Sequence, residues 1–212
     1  MLKWALNLFF PAVCGICGEK NANWLCSKCE KDIEIKKKNI NTKVYLKYYD
    51  EFLFLFKYED IRSEILQYKF SNKAYLSNMF TNIILKDKKI CDKIKLYDII
   101  LSVPMSKNKK SRRGYNQTEL ISKKISQNLN IEYRNNILIK AKNNLTQSSL
   151  TEKQRFENVK NVFKVKNEEI IKNKRIIIFD DILTTGATAN ECAKQLKKAG
   201  AKEILVLTLA KD

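Results

Sequence analysis

Arg175-Ile176-Ile177-Ile178-Phe179-Asp180-Asp181-Ile182-Leu183-Thr184-Thr185-Gly186-Ala187-Thr188 is the stretch on which the fold turns. The apolar residues after Arg175 are β-branched or aromatic, as in a strand buried on both faces. Two adjacent carboxylates follow, then a small hydroxyl-rich turn with one Gly, then a helical pattern. A strand that ends in acid and opens into a Thr/Gly loop at a helix N-terminus is suited to a phosphate. Backbone N–H groups point into such a loop, the helix dipole favours an anion, and hydroxyls donate further bonds. The acids would repel that phosphate, so they suit sugar hydroxyls or a divalent cation beside it.

Upstream, residues 96–103 read as a second buried strand, stopped by Pro104. Residues 105–117 then hold five positive charges (Lys107, Lys109, Lys110, Arg112 and Arg113) and no acid. They read as a basic loop leaving a parallel strand, placed to meet a pyrophosphate. Arg suits bidentate phosphate contact and Lys point-charge attraction. The same residues also fit a solvated loop, or a single-strand grip in which Tyr115 stacks on a base. Asn116 and Glu119 have capping-box spacing, which predicts a helix from there to about Leu129. Thr151 and Gln154 repeat that spacing. Short strands are predicted at 136–140 and 162–165, the second at a sheet edge.

On the other side of the central stretch, a helix over 187–199 is stopped by Gly200, and a last strand covers 203–209. Cys192 falls on that helix's apolar face with Ala189, Ala193 and Leu196. Nearer the N-terminus, strands at 43–49 and 51–58 meet near Asp50, and helices follow at 61–70 and 73–85. Strands and helices alternate, so the sheet is parallel and its ligands belong beyond the strands' carboxyl ends.

Cys14-x-x-Cys17 and Cys26-x-x-Cys29 are a different kind of signal. Two such pairs so close together read as a structural four-thiolate Zn²⁺ site with no open position. The rivals are two disulfides or redox motifs. Nothing marks the chain as secreted, and no strand–helix context surrounds either pair. Residues 1–13 carry one Lys and a short apolar run interrupted by Asn7, and no small-residue cleavage site precedes the cysteines. They read as a short amphipathic helix, with a peripheral membrane contact as the alternative.

The chain has 212 residues and a net charge of +18, enough for one α/β domain with a small appendage. The charge invites a nucleic-acid partner. Yet the excess is nearly all Lys, beside abundant Ile and Asn, which AT-rich codon usage also produces. There is no His, which removes His-based acid–base catalysis, Ser-His-Asp triads and His metal ligands.

The central stretch resembles the phosphoribosyl-pyrophosphate (PRPP) motif of type I phosphoribosyltransferases. That resemblance gives Asp180 and Asp181 to the ribose hydroxyls, and Thr184, Thr185, Gly186, Ala187 and Thr188 to the 5-phosphate. Relatives acting on 6-oxopurines carry a third acid at the position of Thr184, so that substrate class is disfavoured. The whole chain resembles the ComF family of competence-associated proteins. The shared features are the paired CxxC knuckles, Lys69-Phe70, Val103-Pro104 with the basic segment ending Arg113-Gly114-Tyr115-Asn116-Gln117, then Gln147, Arg155 and Asn158, the acid motif and Ala199-Gly200-Ala201. Ser102 and Ser106 depart from the family's common Pro and His.

The resemblance implies an α/β fold with a type I phosphoribosyltransferase-like parallel sheet flanked by helices over residues 41–212. An N-terminal helix and a small four-cysteine zinc-binding module occupy residues 1–40. It also implies Mg²⁺ with PRPP, a cytosolic role in natural transformation, and single-stranded DNA and a competence helicase as partners. Asp180, Asp181 and Arg113 are the catalytic candidates, with Lys107, Arg112 and Arg113 neutralising pyrophosphate. The acceptor side draws on Lys69-Phe70, Gln147 and Arg155. A non-catalytic PRPP or nucleotide sensor and a DNA-uptake adaptor are the alternatives.

Overall fold

The structure is a computed structural model that describes residues 11–38, 40–43, 48–142 and 151–212. The predicted helix in residues 1–10, part of the predicted strand at 43–49, and Gln147 lie outside the described residues. Eight strands are described: β1 (Ile40–Lys43), β2 (Glu51–Lys57), β3 (Ile99–Ser102), β4 (Glu132–Tyr133), β5 (Leu138–Lys140), β6 (Phe163–Val165), β7 (Arg175–Leu183) and β8 (Glu203–Lys211). The helices are α1 (Ser27–Lys36), α2 (Tyr58–Phe70), α3 (Leu76–Leu85), α4 (Lys88–Ile94), α5 (Lys107–Arg113), α6 (Gln117–Leu129), α7 (Glu152–Val159) and α8 (Ala187–Lys198).

Six strands form one sheet in the order β1-β2-β8-β7-β3-β4. β2, β8, β7, β3 and β4 run parallel, and β1 adds an antiparallel edge. β7 is interior, paired on both sides, and its apolar run is fully buried on each face. The pleat divides that run in two. Ile177 and Phe179 join Leu205 and Leu207 in a core with Ile65 and Tyr68 of α2, Phe80 of α3, and Ile121 of α6. Ile176 and Ile178 join Ile204 and Val206 in a second core with Ala189, Cys192, Ala193 and Leu196 of α8.

Three expectations change. The basic segment at 105–117 is not an open loop, because α5 forms inside it. The Ser106 hydroxyl accepts the Lys109 N–H at 3.4 Å, and Gly114 closes the helix in the left-handed region (φ +78°). Asn116 does not make the expected capping box: its amide donates to Val103 O, while Glu119 pairs with Lys110 and Lys123. The two short strands β5 and β6 pair with each other as a separate antiparallel ribbon, away from the main sheet. The box at Thr151 and Gln154 does form, opening α7.

The cysteine knuckle packs on α3. Cys14, Leu25, Cys29 and Ile33 share the first core, and Gly15 lies flat against the helix. A Cβ at Gly15 would fall 2.5 Å from Met79 Sδ and 2.7 Å from Leu76 Cδ2. Gly15→Ala is therefore expected to cost about 1–3 kcal/mol through overpacking, read as a lower urea midpoint at unchanged slope.

Candidate functional site

The four knuckle sulfurs lie within 4.8 Å of one another, and all four thiols are free. Cys17 Sγ and Cys26 Sγ stand 3.7 Å apart. A disulfide would need about 2.05 Å, whereas a tetrahedron with metal–sulfur bonds of about 2.3 Å has edges of about 3.8 Å. The set can therefore hold one metal ion such as zinc. Cys26 is the N-cap of α1 and Cys29 lies in its first turn; burial and then the neighbouring thiols push the Cys29 thiol well above its ordinary value. Burial pushes the Cys14 thiol up, but hydrogen bonds from the backbone of Cys26, Cys17 and Ile16 outweigh it and hold Cys14 at about 6.

The second site sits on the rim of the sheet. The strand does not stop at its acids: β7 runs through Asp180 and Asp181 to Leu183 and pairs with β8 on either side of Asp181. The pleat therefore sends the two carboxylates to opposite faces. Asp181 goes to the side where α2 ends, and Lys69 Nζ meets it at 2.8 Å, both side chains mostly sheltered. Asp180 goes to the α8 side, where its Oδ1 accepts the Asp181 N–H at 2.9 Å. Burial, and then the Asp181 charge, push the Asp180 carboxyl up to about 7 against the opposing pull of that N–H and Lys69. Gly186 follows as the N-cap of α8, at φ +76°, with the Tyr49 hydroxyl 3.2 Å from where a Cβ would stand.

These residues enclose a cavity of about 310 Å³. Asp180, Asp181, Thr184, Thr185, Gly186, Ala187 and Thr188 line one wall. Pro104, Met105, Ser106, Lys109 and Arg113 line the other, with Lys69 of α2 and Lys140 of β5 completing the rim. Hydrogen bonds from Asn116 and Thr118 to Val103 O fix the turn out of β3. Tyr68 and Gln117 are both buried and exchange bonds, Tyr68 Oη to Gln117 O at 2.9 Å and Gln117 Nε2 to Tyr68 O at 3.4 Å. That brace sets the end of α2 against the start of α6. Arg113 Nη1 donates to Gln117 Oε1 at 2.7 Å. Burial, then Arg113, Arg112 and Lys69, depress the Lys109 ammonium. Cations that weaken one another in a sheltered cleft make a place for an anion.

Of the basic residues singled out in the sequence, Arg113 reaches this cavity. Arg112 lines an adjoining bowl of about 740 Å³, and Lys107 lines neither. Lys69, Lys109 and Lys140 are brought in by the fold. Lys109 was hidden among five similar charges; a helical wheel drawn from the Ser106 cap would have set it on the face of Arg113. Lys140 carried no local signal. Arg155 on α7 is not among the cavity-lining residues.

The phosphoribosyl transferase domain model matches residues 101–212, which carry the end of β3, the basic helix and the acid pair. The chain is 33% identical over 210 residues to Competence protein F of Haemophilus influenzae, covering 89% of this chain and 91% of that protein. It is 29% identical over 150 residues to the DNA utilization protein YhgH of Escherichia coli, covering 69% of this chain and 65% of that protein. It is 30% identical over 145 residues to Competence protein ComFC of Streptococcus pneumoniae, covering 68% of this chain and 60% of that protein. Among solved structures, a purine phosphoribosyltransferase from Pyrococcus horikoshii aligns with a TM-score of 0.37 at 17% identity, over 58% of this chain and 78% of that one.

Proposed function

Because the chain belongs to the ComF family of competence proteins and has the type I phosphoribosyltransferase fold, we propose that its rim cavity binds PRPP with Mg²⁺ and that the protein serves DNA uptake in natural transformation. One observation carries the first part. A carboxylate pair, a Thr/Gly helix N-terminus and cations from α2 and α5 converge on one cavity, although Lys69 and Asp181 are 112 positions apart in the chain. The second part rests on what the names of its relatives say of them.

Each residue has a role fitted to one part of PRPP. Ionised Asp180 and Asp181 accept hydrogen bonds from the ribose hydroxyls. The backbone N–H groups and hydroxyls of Thr184, Thr185, Gly186, Ala187 and Thr188 take the 5-phosphate at the start of α8. Arg113 and Lys109 face the pyrophosphate, with Arg112 and Lys107 at the approach. Mg²⁺, when bound, would be held by oxygens of the ligand beside Asp180 and Asp181 and would supply charge neutralisation. In a transfer reaction, C1 gains oxocarbenium-like charge as pyrophosphate departs, and the chain contributes positioning and charge stabilisation. Lys69 engages Asp181 through Oδ1, and the carboxylate keeps further lone pairs for a ribose hydroxyl. The four-cysteine set takes structural Zn²⁺, which fixes the knuckle on α3.

Calorimetric titration with Mg-PRPP is expected to show binding by the wild type and none by Asp180→Asn/Asp181→Asn. A folded, metal-loaded wild type that gives no heat would overturn the ribose-phosphate reading.

The raised Asp180 carboxyl sets a pH dependence. Ribose needs the ionised form, which prevails above about 7. Affinity should therefore fall about tenfold between pH 8 and pH 6, and Asp180→Asn should abolish that one-proton component. The sign for stability is opposite. A carboxyl raised from 3.8 to about 7 favours the folded state when protonated, and this contribution is lost as pH rises through about 7. Ligand-free Asp180→Asn should accordingly melt above wild type at pH 8, with the gap narrowing as pH falls below about 7 and closing near the ordinary carboxyl value of 3.8.

Cys14→Ser or Cys29→Ser should lose zinc, measured by elemental analysis, and lower the melting temperature. Full zinc occupancy in either variant would rule out the four-thiolate site.

A further inference from the structure

Phe70 is the last residue of α2 and is 71% exposed. One exposed aromatic is ordinary, but this one stands in unusual company. It lines a bowl of about 740 Å³ between the ends of α2 and α5, together with Lys69, Lys109, Arg112, Arg113 and Gly114. No acid is among the lining residues. Two helix C-termini meet there, each worth about half a negative charge; Lys69 is paired with Asp181, and the other three cations, Lys109, Arg112 and Arg113, exceed them. The Arg113 guanidinium lies 5.2 Å over the Phe70 ring.

α5 itself buries no residue. A seven-residue helix is far below the length that is stable alone. It is held by its Ser106 cap, Gly114, the Lys110–Glu119 ion pair and the Arg113 hydrogen bond to Gln117. Among the described residues, no carboxylate forms an ion pair with Lys107, Lys109, Arg112 or Arg113. Four cations are thus presented to solvent or to the two adjoining cavities.

A ligand for this bowl must combine a flat apolar face with spaced negative charges. Phosphate or pyrophosphate alone would meet the cations and leave the ring unused. A duplex would bring phosphates, but its bases are already stacked on each other. An unpaired nucleotide strand supplies both features, a free base for the ring and phosphates for Arg and Lys. Tyr115, the residue that the sequence suggested for stacking, is not available. Its hydroxyl donates to Tyr68 O at 2.6 Å and its ring packs on Tyr68.

We propose that this bowl is a subsite for single-stranded DNA, in which a base stacks on Phe70 while backbone phosphates meet Arg112, Lys109 and Arg113, and that Mg-PRPP displaces the strand by taking the shared cations. Lys69, Lys109 and Arg113 line both cavities, so each ligand weakens the other by the same factor. The displacement rests on the ribose-phosphate reading; the subsite does not.

The test is fluorescence anisotropy of a labelled short oligothymidylate with the full-length, zinc-loaded protein. Phe70→Ala should weaken binding about tenfold and Phe70→Trp should restore it, since stacking is worth roughly 1–3 kcal/mol per base. Arg112→Ala should weaken binding and reduce the slope of log affinity against log salt by about 0.7. Zinc content and melting temperature should be unchanged in the Phe70 variants, because the side chain is exposed. Adding Mg-PRPP should release the oligonucleotide. Failure of the wild type to bind, equal binding by Phe70→Ala, or equal binding of a duplex of the same length would overturn the subsite. A strand that depends on Phe70 but is not released by Mg-PRPP would overturn the displacement. If calorimetry had shown no Mg-PRPP binding, that result would trace to the ribose-phosphate reading instead.

Discussion

Consecutive residues of a strand point to opposite faces of its sheet, and the acid pair lies within a strand. Asp180 and Asp181 cannot share one environment. Asp181 meets the end of α2 and gains the Lys69 ion pair. Asp180 faces α8 and has the Asp181 N–H and its neighbour's negative charge. Much of the surrounding architecture serves this division. The brace between Tyr68 and Gln117 sets where Lys69 arrives. The bonds from Asn116 and Thr118 to Val103 O set where the chain leaves β3 toward the cations of α5.

The resulting electrostatics are costly without a ligand. A carboxyl pushed up to about 7 and an ammonium depressed by neighbouring cations face one cleft. Such opposed shifts lower stability and favour a partner that supplies hydroxyls to the acids and negative charge to the cations. A molecule with ribose at one end and phosphates at the other fits both demands. The two cores on either side of β7 keep the arrangement rigid, because the apolar run beneath the acids is fully buried on each face.

The cysteine knuckle is linked to this frame through packing. Cys14 and Cys29 sit in the same core as Met79 and Phe80 of α3, and α3 packs on the sheet face that carries Asp181. The close seat of Gly15 on Leu76 and Met79 leaves no room for a side chain. Metal held by the thiolates would therefore stabilise more than a peripheral loop.

Much was legible in the sequence because its signals are local. The apolar run before Asp180, the Thr/Gly turn, the spacing of Cys14, Cys17, Cys26 and Cys29, and the Thr151–Gln154 box each state their geometry within a few residues. Ser106 and Gly114 also carried the limits of α5, but the dense Lys and Arg charge between them read as a loop. Tertiary structure alone decided the rest. Lys69 meets Asp181, Lys140 joins the rim, β5 pairs with β6, and Tyr115 is taken up by Tyr68 while Phe70 is left in solvent. Local pattern sets which way a residue points along its own element. Which residue from a distant element it meets depends on strand order and helix crossing, and those follow from burying both faces of β7 at once.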